Sequence, residues 1–155
     1  MKRLAALGIV ALLTACGTSH PAGQASIPGH GAINVQVVPN PIVARHVSGE
    51  TYDFPFDVAV HETGGRAVTI SRVSAVVFGP AGIQLDSESW DAARINAAGY
   101  STNVPGNGEL RVHFDPQKSV PSSDVFGGVH AEVRVDAYDE TGTPASATVD
   151  VSVTR

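Results

Sequence analysis

The run YDFPFDVAVHETGGRAVTISRVSAVVF, residues 52–78, carries the clearest fold signal in the chain. In its first half every second position from Tyr52 to Val60 is aromatic or branched, and acidic residues share the other parity. A period of two is typical of a β-strand with one buried face. Pro55 lies on the outward parity and removes one amide donor, so we expect regular pairing to begin near Phe56.

The second half of this run predicts a returning strand. Residues 62–66 contain two adjacent glycines that can adopt positive φ, which indicates a hairpin turn. Over residues 67–78 the apolar positions change parity between Ile70 and Val73. One extra residue would restore the alignment, so we expect a β-bulge near Ser71.

Six further segments read as strands, and no amphipathic helix of three turns is evident. About seven short strands separated by glycine and proline turns predict an all-β, two-sheet sandwich. Residues 86–100 lack steady alternation and favour a helical turn over 90–94. The six segments are residues 33–38, an edge-type strand, and 42–44, 83–86, 110–114, 129–137 and 147–153.

Residues 56–82 and 129–153 together resemble the immunoglobulin-like or fibronectin-III-like domains of exported bacterial proteins. The resemblance implies an immunoglobulin-like sandwich. The cysteine pair and the intervening core tryptophan of antibody domains are missing. Because this architecture hosts many activities, the resemblance implies little about function.

The N-terminal segment has the order of a secretory signal. Lys2 and Arg3 precede an apolar run that is too short to span a bilayer. This run ends at Leu13-Thr14-Ala15-Cys16, which resembles the lipobox of bacterial lipoproteins. The resemblance implies cleavage after residue 15 and lipidation of Cys16; a secreted protein with a free cysteine is the alternative.

The expected organisation is a signal peptide over residues 1–15, a lipid anchor and flexible linker over 16–31, and one sandwich domain over 32–155. The linker is rich in Gly, Pro, Ser and Ala and has no apolar period. Gly17 follows the cysteine in place of the aspartate that retains enterobacterial lipoproteins at the inner membrane. A lipid-anchored position in the cell envelope is therefore expected, with the outer membrane favoured.

Charge and cysteine content limit the partners. Without residues 1–15 the chain keeps eight basic and fifteen acidic side chains, a net charge of about −7. This acidic balance argues against nucleic acid, whose phosphates require clustered lysine and arginine. With Cys16 as its one cysteine, the domain has no internal disulfide.

Metal binding is the first chemistry to weigh. His61 and His113 lie on outward parities of strands that an immunoglobulin-like order makes neighbours, whereas His130 belongs to the other sheet. A cupredoxin-type copper site needs a thiolate, which the domain lacks. The acidic groups Asp86, Glu88 and Asp91, and Asp136, Asp139 and Glu140, lack the spacing of a calcium loop. We therefore expect no cofactor and no metal site.

Catalytic motifs are also missing from the sequence, which has no G-x-S-x-G elbow, no S-x-x-K signature and no P-loop. We therefore expect no enzyme activity. Trp90 and Tyr100 are the candidate binding residues, on the expectation that both are exposed; the alternative is that Trp90 fills one end of the sandwich.

The sequence thus predicts a lipid-anchored binding or scaffolding module without catalytic activity. Its partners are the membrane, through Cys16, and another envelope protein or a glycan, engaged through loops or by strand addition. One alternative is an extracytoplasmic carrier of copper, zinc or calcium. Another is a hydrolase or protease inhibitor that acts through the exposed segment 119–124.

Overall fold

The structure, a computed structural model, describes residues 29–155, with the backbone alone for Ser123 and Asp124. The expected signal peptide and Cys16, the expected lipidation site, lie outside the described residues. Two short 3-10 turns, Pro80–Gly82 and Ser123–Phe126, accompany the regular elements. The elements are β1 Ile33–Val38, β2 Ile42–Val43, β3 Arg45–Ser48, β4 Thr51–Asp53, β5 Phe56–Glu62, β6 Val68–Phe78, β7 Gln84–Asp91, α1 Ala92–Ala97, β8 Asn103–Val104, β9 Glu109–Phe114, β10 Gln117–Ser119, β11 His130–Asp139 and β12 Pro144–Thr154.

The strands form two layers, which confirms the all-β sandwich. One layer has the order β1-β5-β9 and is prolonged by the small sheet β10-β4-β3. Pro55 and Pro116 separate the two parts, and the Phe54 amide donates across the gap to the Pro116 carbonyl at 3.1 Å. The other layer has the order β2-β12-β11-β6-β7, with β8 added to β6. The breaks at Pro55 and Pro116 each divide a run of extended chain into two strands, which is one reason why the structure has more strands than the seven expected.

Alternate side chains of both layers meet in one core. Val58 and Val60 of β5 and Val133 and Val135 of β11 are all fully buried. Each such valine contributes about 1.5–3 kcal/mol of burial free energy. The apolar positions of the period-two pattern in the sequence are therefore the positions that form the core.

The β-bulge expected near Ser71 is confirmed. Arg72 pairs with Asp136 and Ile70 with Ala137, so Ser71 is the extra residue of β6. The Ser71 hydroxyl donates to the Asp136 carbonyl at 3.0 Å. The bulge keeps the apolar residues on both sides of it in the core.

The hairpin expected at residues 62–66 is wrong. β5 pairs with β1 and β9, whereas β6 pairs with β11, β7 and β8, so the segment crosses from one layer to the other. The Glu62 carboxylate accepts the amides of Gly64 at 2.7 Å and Gly65 at 2.8 Å and thereby holds the crossing. Adjacent glycines serve a crossing and a hairpin equally well, which explains the error.

The strand expected over 83–86 is longer in the structure, where β7 runs from Gln84 to Asp91. It pairs with β6 along most of its length. Its alternation was hidden because the sandwich places Asp86 and Glu88 on the same parity as the buried Trp90. The Asp91 carboxylate then caps α1 by accepting the Arg94 amide at 2.8 Å.

The chain enters the sandwich at the pole where β5 ends and β6 begins. The Gly31 amide donates to Asp139 at 3.1 Å and the Ala32 amide to Glu62 at 3.0 Å. A side chain on Gly31 would meet Val68 Cγ1 at 2.5 Å. Gly31, expected as the last linker residue, is therefore packed into the domain.

Candidate functional site

A cavity of about 560 Å³ lies between the two layers, towards the pole opposite the chain entry. β6 ends and β11 begins at this distal pole. Six of its apolar lining residues, drawn from both layers, are Phe54, Phe56, Val77, Trp90, Val133 and Val153. The lining residues range from fully buried, such as Val133, to partly exposed, such as Phe54 and Val77.

The cavity exists because the layers separate on one side. β7 is an edge strand of one layer and β10 an edge strand of the other, and the two do not pair. The segment between β10 and β11 covers the gap with Val120, Val125 and Phe126. The Phe126 ring lies 5.4 Å from Tyr52 and 6.3 Å from Phe54, centroid to centroid.

Of the side chains that the structure describes, three charged ones line this cavity: Asp86, Glu88 and Lys118. The Lys118 ammonium lies 3.1 Å from Asp86 Oδ2 and 2.9 Å from Glu88 Oε2. Arg94 pairs with the other oxygen of Glu88 at 2.8 Å. Ion pairs thus join the two edge strands across the gap.

These ion pairs shift the pKa values of Lys118 and Glu88. The hydrogen bond to Glu88 raises the pKa of Lys118 above its ordinary value despite burial, and Asp86 raises it further. Burial alone would raise the pKa of Glu88, but hydrogen bonds from Lys118 and Arg94 outweigh it and lower this pKa. Both shifts favour the charged forms of Lys118 and Glu88 at neutral pH.

Trp90 forms part of the cavity wall instead of an exposed patch. It is 7% exposed, and its ring lies 4.5 Å from Phe114 and 6.3 Å from Phe56. It also lines a second cavity of about 230 Å³ beside α1, where the Arg94 guanidinium lies 5.5 Å from its ring centroid. Of the two alternatives for Trp90, the exposed patch is wrong and burial is confirmed, because Trp90 sits at an inward position of β7.

Tyr100, the other candidate binding residue, is half-buried and packs against the core. It lines neither of the two cavities. The structure therefore does not unite it with Trp90 in one binding surface.

The histidines proposed as a metal pair do lie on neighbouring strands. His61 pairs in register with Glu109 and His113 with Asp57, which separates the histidines by about 13 Å along the strands. Each has an acidic partner: His61 Nε2 is 3.0 Å from Glu109, and His113 Nδ1 is 2.7 Å from Asp57. Within residues 29–155 no group of three His, Cys, Asp or Glu side chains could hold a metal ion.

The other acidic candidates serve separate local roles. Asp136 pairs with Arg134 at 2.7 Å, Asp139 is buried in the last hairpin turn, and Glu140 is exposed. In the segment 119–124, proposed as an inhibitory loop, Ser119, Val120 and Pro121 line the large cavity.

Two carboxylates are buried at the entry pole: Glu62, which sequence reasoning missed, and Asp139, which it considered only as a calcium ligand. Glu62 accepts four amides, from Ala32, Gly64, Gly65 and Asn107, at 2.7–3.0 Å. Burial alone would raise the pKa of Glu62, but these four hydrogen bonds outweigh it and lower the pKa. Glu62 continues the inward parity of Val58 and Val60, and that signal could have revealed it.

Asp139 is the matching carboxylate in the β11–β12 turn. It accepts the Thr141 hydroxyl at 2.6 Å and the amides of Gly31, Thr141 and Thr143. The Thr141 hydroxyl is the main cause that holds the pKa of Asp139 well below its usual value, and the amides add to it against the effect of burial. The entry pole is therefore bound together by two charged carboxylates.

The distal pole instead exposes apolar side chains. Ile83 is 64% exposed and Leu85, which also lines the cavity, is 51% exposed. Val38, Val43 and Val47, at the ends of β1, β2 and β3, are also exposed. Within residues 29–155 no helix has the length and apolarity of a membrane span.

Comparisons with known proteins support the fold alone. No family model and no curated protein matches the chain. The X-ray structure of the structural-genomics target SoR45 superposes with a TM-score of 0.58 at 13% identity, covering 79% of this chain and 86% of that one. The CARDB domain of PF1109 from Pyrococcus furiosus has a TM-score of 0.35 at 16% identity, covering 81% of this chain and 96% of that one. At these identities the likeness carries nothing about function.

Proposed function

We propose that this chain is a lipid-anchored binding module of the cell envelope, without catalytic activity, and that the cavity of the distal pole is its binding site. The cavity carries this proposal. Its volume of about 560 Å³ falls in the range of about 300–1,000 Å³ that small-molecule sites occupy. Mostly apolar walls with a few convergent polar groups are also typical of such sites.

The position of the cavity fits a tethered protein. The chain enters at the Glu62 and Asp139 pole, and β6 runs from there towards the cavity. With eleven residues at about 3.3 Å each, β6 spans about 35 Å. A ligand can therefore reach the cavity at the end of the domain remote from the tether.

The chemistry of the cavity favours binding over catalysis. Glu88 is held charged by Lys118 and Arg94, and its pKa is lowered. A general acid needs the opposite shift, towards neutral pH. The apolar walls and the exposed Ile83 and Leu85 also favour an apolar ligand or protein segment over a glycan.

Binding is tested with the neutral fluorescent probe N-phenyl-1-naphthylamine. Ala75 lines the cavity, and Ala75→Phe fills part of it. The wild-type chain should bind the probe and Ala75→Phe should not. Gln36→Phe, which adds the same ring on the exposed face of β1, is the matched control and should bind normally. Absence of binding to the wild type, or equal binding to Ala75→Phe, contradicts the proposal.

Anchoring is tested by Cys16→Ser. The wild-type chain should sediment with membranes, and Cys16→Ser should move to the soluble fraction. Ser19→Ala is the nearby control and should stay with the membranes. Continued sedimentation of Cys16→Ser would contradict the lipid anchor.

A further inference from the structure

We infer that the cavity binds an amphiphile with a positively charged head group, whose apolar chain enters the cavity and whose head lies between Asp86 and Glu88. The inference rests on the proposed binding function and names its ligand class. The observation that supports it is the position of the Lys118 ammonium, which lies where the head group of the ligand would lie.

Lys118 shows that the site accepts an ammonium ion. Its Nζ lies within hydrogen-bond distance of two carboxylates, at 3.1 Å from Asp86 and 2.9 Å from Glu88. Asp86 and Glu88 are alternate residues of β7, so both face the cavity from one rigid strand. A ligand ammonium at the same point would find the same two acceptors without any movement of the backbone.

The Lys118 ammonium is also able to move away from the two carboxylates. Its side chain is 36% exposed, and its flexible four-carbon stem lets the ammonium return to water. Glu88 would keep Arg94 at 2.8 Å, so the carboxylate never loses all of its charged partners. The resident lysine therefore competes with a ligand head group instead of blocking it.

The charge balance selects the sign of the head group. Among the side chains that the structure describes, two carboxylates and one ammonium line the cavity, and Arg94 pairs with Glu88, so a head group that replaces Lys118 would take over the pairing with Asp86. The whole chain has a formal net charge of −5. A carboxylate or phosphate head would pair with Lys118 only beside Asp86 and Glu88, which repel it. Both the local and the overall charge thus favour a cation.

Apolar residues on both sides of the cavity would contact the alkyl chain of the ligand. Phe54 and Phe126 face it from one layer and its covering segment, and Val77 and Val133 from the other layer. Leu85 extends this surface to the exterior. An alkyl chain that enters beside the ion pairs would bury apolar area that the empty cavity leaves open to water.

The test compares three twelve-carbon probes that differ only in the head group: dodecylamine, dodecanol and dodecanoate, each below its micelle concentration. Affinity is measured by calorimetry and by the emission of Trp90, which is the single tryptophan and lines the cavity. Dodecylamine should bind about tenfold more tightly than dodecanoate, the size of effect that one charge-assisted hydrogen bond supplies.

Variants assign the preference to named groups. Asp86→Asn with Glu88→Gln should reduce dodecylamine affinity to that of dodecanol. Lys118→Met removes the competing ammonium but keeps an apolar stem, so it should tighten dodecylamine and leave dodecanol nearly unchanged. Asp136→Asn, which breaks an exposed ion pair outside the cavity, is the matched control and should change neither. Thermal melts of each variant show whether it is folded.

The outcomes separate the inference from the proposed function. If dodecanoate or dodecanol binds as tightly as dodecylamine, and Ala75→Phe still abolishes binding, the binding module stands and the cationic ligand is wrong. If Lys118→Met weakens dodecylamine, the displacement of Lys118 is wrong. If none of the three probes binds but N-phenyl-1-naphthylamine does, only the inference fails; if N-phenyl-1-naphthylamine does not bind either, the proposed function fails with it.

Discussion

The Glu62 carboxylate accepts the Ala32 amide at 3.0 Å and so joins the end of β5 to the point where the chain enters the sandwich. The same carboxylate accepts three more amides from two loops. One buried side chain thus satisfies donors from three separate parts of the entry pole.

Glu62→Gln should destabilise the domain, because the new amide nitrogen cannot accept the hydrogen bonds of Gly65 and Asn107. Each buried donor left without a partner costs about 1–3 kcal/mol. Urea unfolding measures the change. Glu109→Gln, on an exposed position of the neighbouring strand β9, is the control and should cost at most about 1 kcal/mol. Equal losses in the two variants would show that Glu62 has no special role.

Stability should fall in acid. The pKa values of Glu62 and Asp139 are lowered in the folded chain. Their stabilisation is fully present above the unfolded values, about 4.3 for Glu and 3.9 for Asp, and is lost as the pH falls through the lower folded values. Thermal melts from pH 7 to pH 2 should show this decrease, and it should be smaller in Glu62→Gln with Asp139→Asn. An unchanged pH dependence in that variant would contradict the assignment.

Trp90→Ala should cost about 3–5 kcal/mol, the usual range for a buried aromatic residue. The reason is its contact with Phe114 and Phe56 in the core. Tyr138→Ala, at a 46% exposed position, is the control and should change stability by about 0.5 kcal/mol or less. A small effect at Trp90 would contradict its place in the core and favour the exposed alternative.

Gly31→Ala should destabilise the domain by about 1–3 kcal/mol, as overpacking in a core does. The new Cβ would meet Val68 Cγ1 at 2.5 Å and Asp139 Cβ at 2.9 Å. Denaturant unfolding of this variant is compared with Gln36→Ala, on the exposed face of β1. If Gly31→Ala were as stable as the control, the packed domain would begin after residue 31.

Local patterns predicted most of the longer strands and even the bulge at Ser71, because the period of two and its interruption are local properties of the chain. They failed where a side chain depends on a partner that is distant in sequence. Glu62 is buried where it also binds Ala32 and Asn107, and Asp86 and Glu88 face inward on β7 where they pair with Lys118. No local period reveals such partners.

The cavity could not be predicted for the same reason. Its walls combine Phe54, Val77, Trp90, Phe126 and Val153, which share no sequence motif. It arises from two edge strands, β7 and β10, that do not pair. The gap between β7 and β10 depends on how the two layers pack, and the sequence of neither strand determines it alone.

Native mass spectrometry of the chain released from cells as Cys16→Ser tests the central claim most directly. A cavity that serves as a binding site should retain an apolar small molecule, so the protein should carry an added mass that solvent extraction removes and that is missing when Ala75→Phe is also present. No added mass on Cys16→Ser, or the same added mass on both chains before extraction, with both folded, would contradict the claim.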